Sequence, residues 1–125
     1  MLEPYFRSVL EQDRAAVVLC NLDHTILYIN PAAAKRYAKS GGYSLVGQSL
    51  FDCHNARSNE LIVKAVGWFR ENAGRNIVYT FYNEKENKDV YMVALRDDAG
   101  ELIGYYEKHE YRNRETMKMY DFYSE

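Results

Sequence analysis

Apolar positions change period along this chain. Leu2, Tyr5, Phe6, Val9 and Leu10 recur at three- and four-residue spacing and predict a short helix over residues 2–12 with one apolar stripe. Residues 15–22 are a compact apolar run of strand length. Asp23-His24 supplies a turn, and residues 25–30 are β-branched and aromatic, so the two runs predict a hairpin with strands at 17–22 and 25–30. Asn30 then suits an N-cap and Pro31 a first helical position, where its missing N–H would be unpaired anyway. Alanine-rich residues 32–38 continue that helix, and Ser40-Gly41-Gly42 stops it. Residues 43–57 carry no sustained period. The clearest stripe follows: Leu61, Ile62, Ala65, Val66, Phe69 and Ala73, with Asn55 or Ser58 to cap its start and Gly74 to suit its end.

Strand patterning takes over at Arg75. Segments 75–82, 89–96 and 101–111 predict three strands, joined by polar turns at 83–87 and 97–100. Joints this short make consecutive strands antiparallel neighbours. Strands at both ends with helices grouped between them predict an α+β domain: a five-stranded antiparallel sheet flanked by short helices, one face covered by the helix near 58–73. Residues 1–12 are then an N-terminal helix, 13–111 the domain, and 112–125 a terminal tail or short helix. That last segment is polar but holds Met117, Met119, Tyr120, Phe122 and Tyr123, as a tail that orders on a partner would.

Composition narrows the functional classes. The 125 residues suffice for one domain, and 47% hydrophobic with 27% charged residues is a globular balance. A net charge of −2 gives no support to nucleic-acid binding. No run approaches the roughly 18–20 apolar residues of a membrane helix. The N-terminus lacks the basic start and apolar core of a signal peptide. Two cysteines are too few for a disulfide framework, so a reducing cytosol is the expected compartment. Twelve tyrosines, each an apolar ring with a polar tip, point to a wet pocket or an interface.

The most chemical-looking spot is Cys53-His54. It reads as a ligand contact, as an axial haem ligand, or as a structural element in which Asp52, His54 or Asn55 bonds the loop and the next helix end. Neighbouring side chains on an extended segment would point opposite ways and not grip one metal. Zinc needs about four ligands at structured spacing, and Cys20, Cys53, His24, His54 and His109 are scattered. A Cys53 nucleophile needs a base and an oxyanion donor, and spacing favours none of the three histidines. His24, in a turn, reads as solvated. Among the aromatics of the late strands, Tyr79 and Phe81 share one face by alternation, and Tyr91, Tyr105 and Tyr106 join them as core, ligand or partner contacts. Glu107 and His109 share a face with Tyr105 and Tyr111. Facing inward, that pair would tune a ligand site or sense pH; facing outward, the commoner case for charged groups, it would be solvated.

Three segments carry a family resemblance. Residues 17–33 (VVLCNLDHTILYINPAA), 45–50 (LVGQSL) and 97–104 (DDAGELIG) resemble, in order and spacing, the opening hairpin and first helix, the helical step and the last strand link of PAS domains. Asp52-Cys53-His54-Asn55 is similar to a Cys-His segment of certain bacterial PAS modules found with hemerythrin-like domains, which usually carry Pro at the last position. It does not match the Asn-Cys-Arg-Phe-Leu-Gln setting of flavin photoreceptors. The resemblance implies a cytoplasmic, non-enzymatic sensory or interaction module that binds a small molecule between the sheet and the 31–57 segment. Candidate ligand contacts are His54, Cys53, Tyr28, Tyr79, Phe81, Tyr91 and Tyr105, with no catalytic or metal residues. The cofactor stays open, haem being one candidate. The expected partners are a second copy, through the N-terminal helix, and a separate signalling chain, because no transmitter, kinase or DNA-binding segment is legible; neither nucleic acid nor membrane is expected. The alternatives are a ligand-free PAS dimerisation module, a haem-binding sensor and a small Cys/His-dependent enzyme.

Overall fold

In the computed structural model, which describes residues 1–122, the chain opens with helix α1 (Glu3–Gln12) and a hairpin of β1 (Val18–Asn21) and β2 (Ile26–Ile29). Helix α2 (Pro31–Arg36) follows directly, with Asn30 as its N-cap accepting from the Ala33 N–H. Short 3-10 turns at Ala38–Ser40, Gly42–Leu45 and Leu50–Cys53 fill the stretch without a period. Gly41 and Gly42 take φ of 124° and 55°, a backbone course that side chains disfavour and that ends the helical run. Helix α3 (Ala56–Glu71) is capped by Asn55, whose side chain accepts from the Ser58 N–H. Strands β3 (Ile77–Asn83), β4 (Lys88–Arg96) and β5 (Leu102–Tyr111) complete the sheet. Residues 112–122 form neither helix nor strand, and Tyr123 lies outside the described residues.

The five strands form one antiparallel sheet in the order β2-β1-β5-β4-β3. First and last strands therefore meet in the middle, and the central segment crosses one face between β2 and β3. Gly104 permits the β1–β5 contact: a side-chain carbon there would collide with the backbone carbonyl of Cys20. Alternation along β4 sends Val90, Met92 and Ala94 inward and leaves Tyr91, Val93 and Leu95 half-buried outside.

The core lies between that inner face and the helices. Ile62, Val66 and Phe69 of α3 pack there with Ile26, Ile29 and Met92. The stripe is narrower than its sequence pattern, since Leu61 is exposed. Arg96 holds the end of α3 to the sheet, donating to the carbonyls of Phe69, Asn72 and Arg75 and to Asn76 Oδ1. A cation at those last carbonyls also suits the negative end of the helix. Among the described residues no helix is long and apolar enough to cross a membrane.

Candidate functional site: a cavity between sheet and helices

The packing between sheet and helices leaves a cavity of about 170 Å3. Its floor is the inner sheet face, with Cys20, Ile26, Ile29, Met92 and Tyr105. Its cover is the irregular segment and α3, with Tyr37, Leu45, Leu50, Cys53, His54 and Ile62. Glu107 and His109 of β5 also face it, two and four residues beyond Tyr105. The inward orientation of this pair reverses the usual rule for charged residues. It follows from register, because Ala94 opposite Tyr105, Met92 opposite Glu107 and Val90 opposite His109 all point to the core.

The polar groups are individually tied. His54 Nδ1 lies 3.0 Å from the Leu50 carbonyl oxygen, closing the 3-10 turn beneath it. The Tyr105 hydroxyl lies 2.7 Å from His24 Nδ1, and the His24 ring stacks on Phe51 at 4.1 Å between centroids. His24 is thus a part-buried connector rather than a solvated turn residue, and burial lowers its pKa. His109 Nε2 lies 3.3 Å from a Glu107 carboxylate oxygen. The His109 side chain is 6% exposed and its Nδ1 has no hydrogen-bond partner. Burial, with Lys88 and Arg36 nearby, pushes the His109 pKa down to about 4. Glu107 lines the cavity with its side chain 45% exposed, at the cavity's open side, and the protein packed around it raises its carboxyl pKa.

A charged cluster stands behind this end. Both terminal nitrogens of the Arg36 guanidinium bond the Glu86 carboxylate, at 2.6 and 2.7 Å, and hold its pKa down to about 2. Lys88 is almost fully buried, with Nζ 3.3 Å from Glu86 and 5.2 Å from the centre of the Tyr111 ring.

Of the residues singled out in the sequence, Cys53, His54 and Tyr105 line the cavity. Tyr28, Tyr79, Phe81 and Tyr91 do not. Tyr28 sits opposite Leu19 and donates to Glu11 of α1 at 2.6 Å. Tyr79 and Tyr91 pair on the outer face, rings 5.2 Å apart. A β-bulge between Tyr79 and Phe81 breaks the alternation, so Phe81 lands opposite Val90, on the other face from Tyr79 and half exposed at the sheet edge. Cys53 and His54 both face the cavity because they end a 3-10 turn instead of lying on an extended segment. Sequence reasoning missed Tyr37, Leu45, Leu50, Ile62 and Met92 as cavity residues. The alternation through buried Tyr105 was the available signal for Glu107 and His109.

Several chemistries fit poorly. No group of three or more His, Cys, Asp or Glu among the described residues is placed to hold a metal ion. Burial pushes the Cys20 thiol up to about 11, so it is protonated at neutral pH and a poor nucleophile. A haem does not fit, because 170 Å3 falls well below the roughly 300–1,000 Å3 of clefts that enclose even drug-sized ligands.

No protein-family model matches the chain, and no curated protein sequence does. Solved structures do match in fold. The PAS domain of a protein from Colwellia psychrerythraea aligns with a TM-score of 0.65 at 14% identity, over 90% of this chain and 98% of that one. The C-terminal domain of a Streptococcus mutans protein aligns with a TM-score of 0.64 at 23% identity, over 84% and 81%. The Aer2 receptor of Vibrio cholerae, described as a dual PAS-heme oxygen sensor, aligns with a TM-score of 0.52 at 19% identity, over 75% and 90%. With the strand order and the helical cover, these likenesses define a PAS-like domain.

Proposed function

We propose that this chain is a sensory module that takes a small molecule into the cavity between its sheet and residues 31–71, and that it works as a homodimer whose output passes to a separate signalling chain. The observation that carries the reading is the cavity itself. Apolar walls end in a few placed polar groups, the make-up of small-molecule sites generally. His54, Glu107 and His109 come from two elements, so a ligand touching them would bridge the 50–54 turn to the central strand β5 and bias their spacing. The apolar stripe of α1 supports dimerisation: Leu2, Tyr5, Phe6 and Val9 are all exposed, and no residue of α1 is buried. Free Cys20 and Cys53 fit a reducing cytosol. We read the module as a binder rather than an enzyme.

Native mass spectrometry of the purified full chain, with its visible spectrum, tests this. The expected result is a colourless dimer that takes up one small molecule per subunit. Met92→Trp, which fills the floor of the cavity, should abolish uptake and leave the dimer. A coloured protein would overturn the reading in favour of haem or flavin, and uptake undiminished by Met92→Trp would move the site elsewhere.

A further inference from the structure

The Leu50 carbonyl sets which nitrogen of the His54 ring carries the proton in its neutral form. A carbonyl oxygen only accepts, so the His54 Nδ1 beside the Leu50 oxygen at 3.0 Å carries the proton, and Nε2 is left as a bare acceptor. His109 Nε2 lies 3.3 Å from a Glu107 carboxylate oxygen, and His109 Nδ1 is buried and without a hydrogen-bond partner. Glu107 offers about four lone-pair directions, of which His109 faces one. The Tyr105 hydroxyl is engaged by His24. Tyr37 and Ser40 add hydroxyls, which can donate as well as accept, so the lone-pair groups that bring no proton of their own to this end are the Glu107 carboxylate and the free histidine nitrogens.

Charge narrows the partner further. A cation at Glu107 would enter the field of Arg36 and Lys88, which already reaches both Glu107 and His109. An anion would meet Glu107 itself. An anion would lose its hydration against Ile26, Ile29, Leu45 and Leu50 with no partner to offset the cost, and a cation would recover it from Glu107 only against the field of Arg36 and Lys88. Size narrows it as well: an apolar cavity of about 150 Å3 holds a benzene ring, and this one is about 170 Å3.

Given the sensing role proposed for this cavity, on which it rests, we infer that the ligand is a small neutral molecule of one or two rings' size, mostly apolar, that presents a hydroxyl or N–H donor to Glu107 and His54. The ring body lies against the aliphatic floor, and the donor satisfies acceptors that the protein leaves open. Phenols and indoles have this chemistry.

The test compares matched probes on the full chain by isothermal titration and amide NMR shifts: phenol against toluene, indole against benzothiophene, then benzylamine and benzoate. Phenol and indole should bind at least ~10-fold more tightly than their donor-free isosteres, as one well-made hydrogen bond would give. Benzylamine and benzoate should bind more weakly than phenol. Glu107→Leu should bring the phenol-to-toluene ratio close to one while toluene still binds. The wild-type ratios stand alone if that variant fails to fold. Equal binding of phenol and toluene, or preference for either charged probe, overturns the ligand class and leaves the cavity as a site. No pocket shift with any of the six probes overturns the sensing role along with it.

Discussion

Asn30 is fully buried, and five backbone groups depend on its amide. Its oxygen accepts from the N–H groups of Val17 and Ala33, each at 2.9 Å, and its nitrogen donates to the carbonyls of Leu10, Asp13 and Ala15. A capping role was legible in the sequence because Pro31 follows it. The clasp on α1 and the β1 approach was not, since its partners lie 13 to 20 residues away. Asn30→Ala should cost about 2–4 kcal/mol, above an ordinary cap, because buried donors lose their acceptor with no water to replace it. Urea unfolding checks this; a loss under 1 kcal/mol would show the clasp to be dispensable. His109 makes a pH prediction. The unfolded chain takes up this proton near 6.5, whereas burial holds the folded group off until about 4. Stability from this residue is therefore intact above about 6.5 and falls as pH drops toward 4, by on the order of 2–4 kcal/mol. Glu107, shifted up, works in the opposite sense just above the usual carboxylate range. The His109 ring should titrate near 4 by NMR, and His109→Gln should flatten the decline between pH 7 and 4.5; a midpoint near 6.5 would place the ring in water.

At the scale of elements, the sheet strands and α3 were legible because each carries its own period or its own stop signals. The α3 stripe shows how far that goes. Four-residue spacing identified the helix, but only contact with the sheet decides that Ile62, Val66 and Phe69 are buried and Leu61 is not. Val66→Asp should leave the domain unfolded at room temperature, since the carboxylate would meet apolar core with no partner; a variant melting like the wild type would mean that α3 does not cover the sheet. Gly104→Ala probes the sheet centre. The added methyl meets the Cys20 carbonyl, so β1 and β5 must separate, at a cost of about 1–3 kcal/mol by thermal melting. The candidate site was less legible for the same local reason. Two elements with no period of their own, residues 38–45 and 50–54, supply much of its cover, and the bulge in β3 moves Phe81 off the face that alternation gives it.

At the scale of the whole molecule, the apolar surface is unevenly spread. The exposed large side chains gather on α1, along the edge strand β3, and along residues 117–122. A ten-residue helix is marginal alone in water, and α1 is held by polar contacts: the Asn30 bond to Leu10, the Glu11 bond to Tyr28 and the Arg7 guanidinium 5.5 Å from the Tyr28 ring centre. These fix one side of the helix and leave Leu2, Tyr5, Phe6 and Val9 facing away from the domain. Soluble monomers rarely leave such side chains clustered in the open. The proposed dimer would bury this stripe against its copy across a two-fold axis, the usual closure for a small homo-oligomer. Phe6→Glu with Val9→Glu places four like charges at such a seam, two from each copy, and touches nothing buried within one subunit. Sedimentation equilibrium should find the wild type dimeric and this variant monomeric, both with the same circular dichroism. A variant that stays dimeric would shift the interface to the tyrosines of the outer sheet face, and a wild type that is monomeric at high concentration would end the dimer proposal.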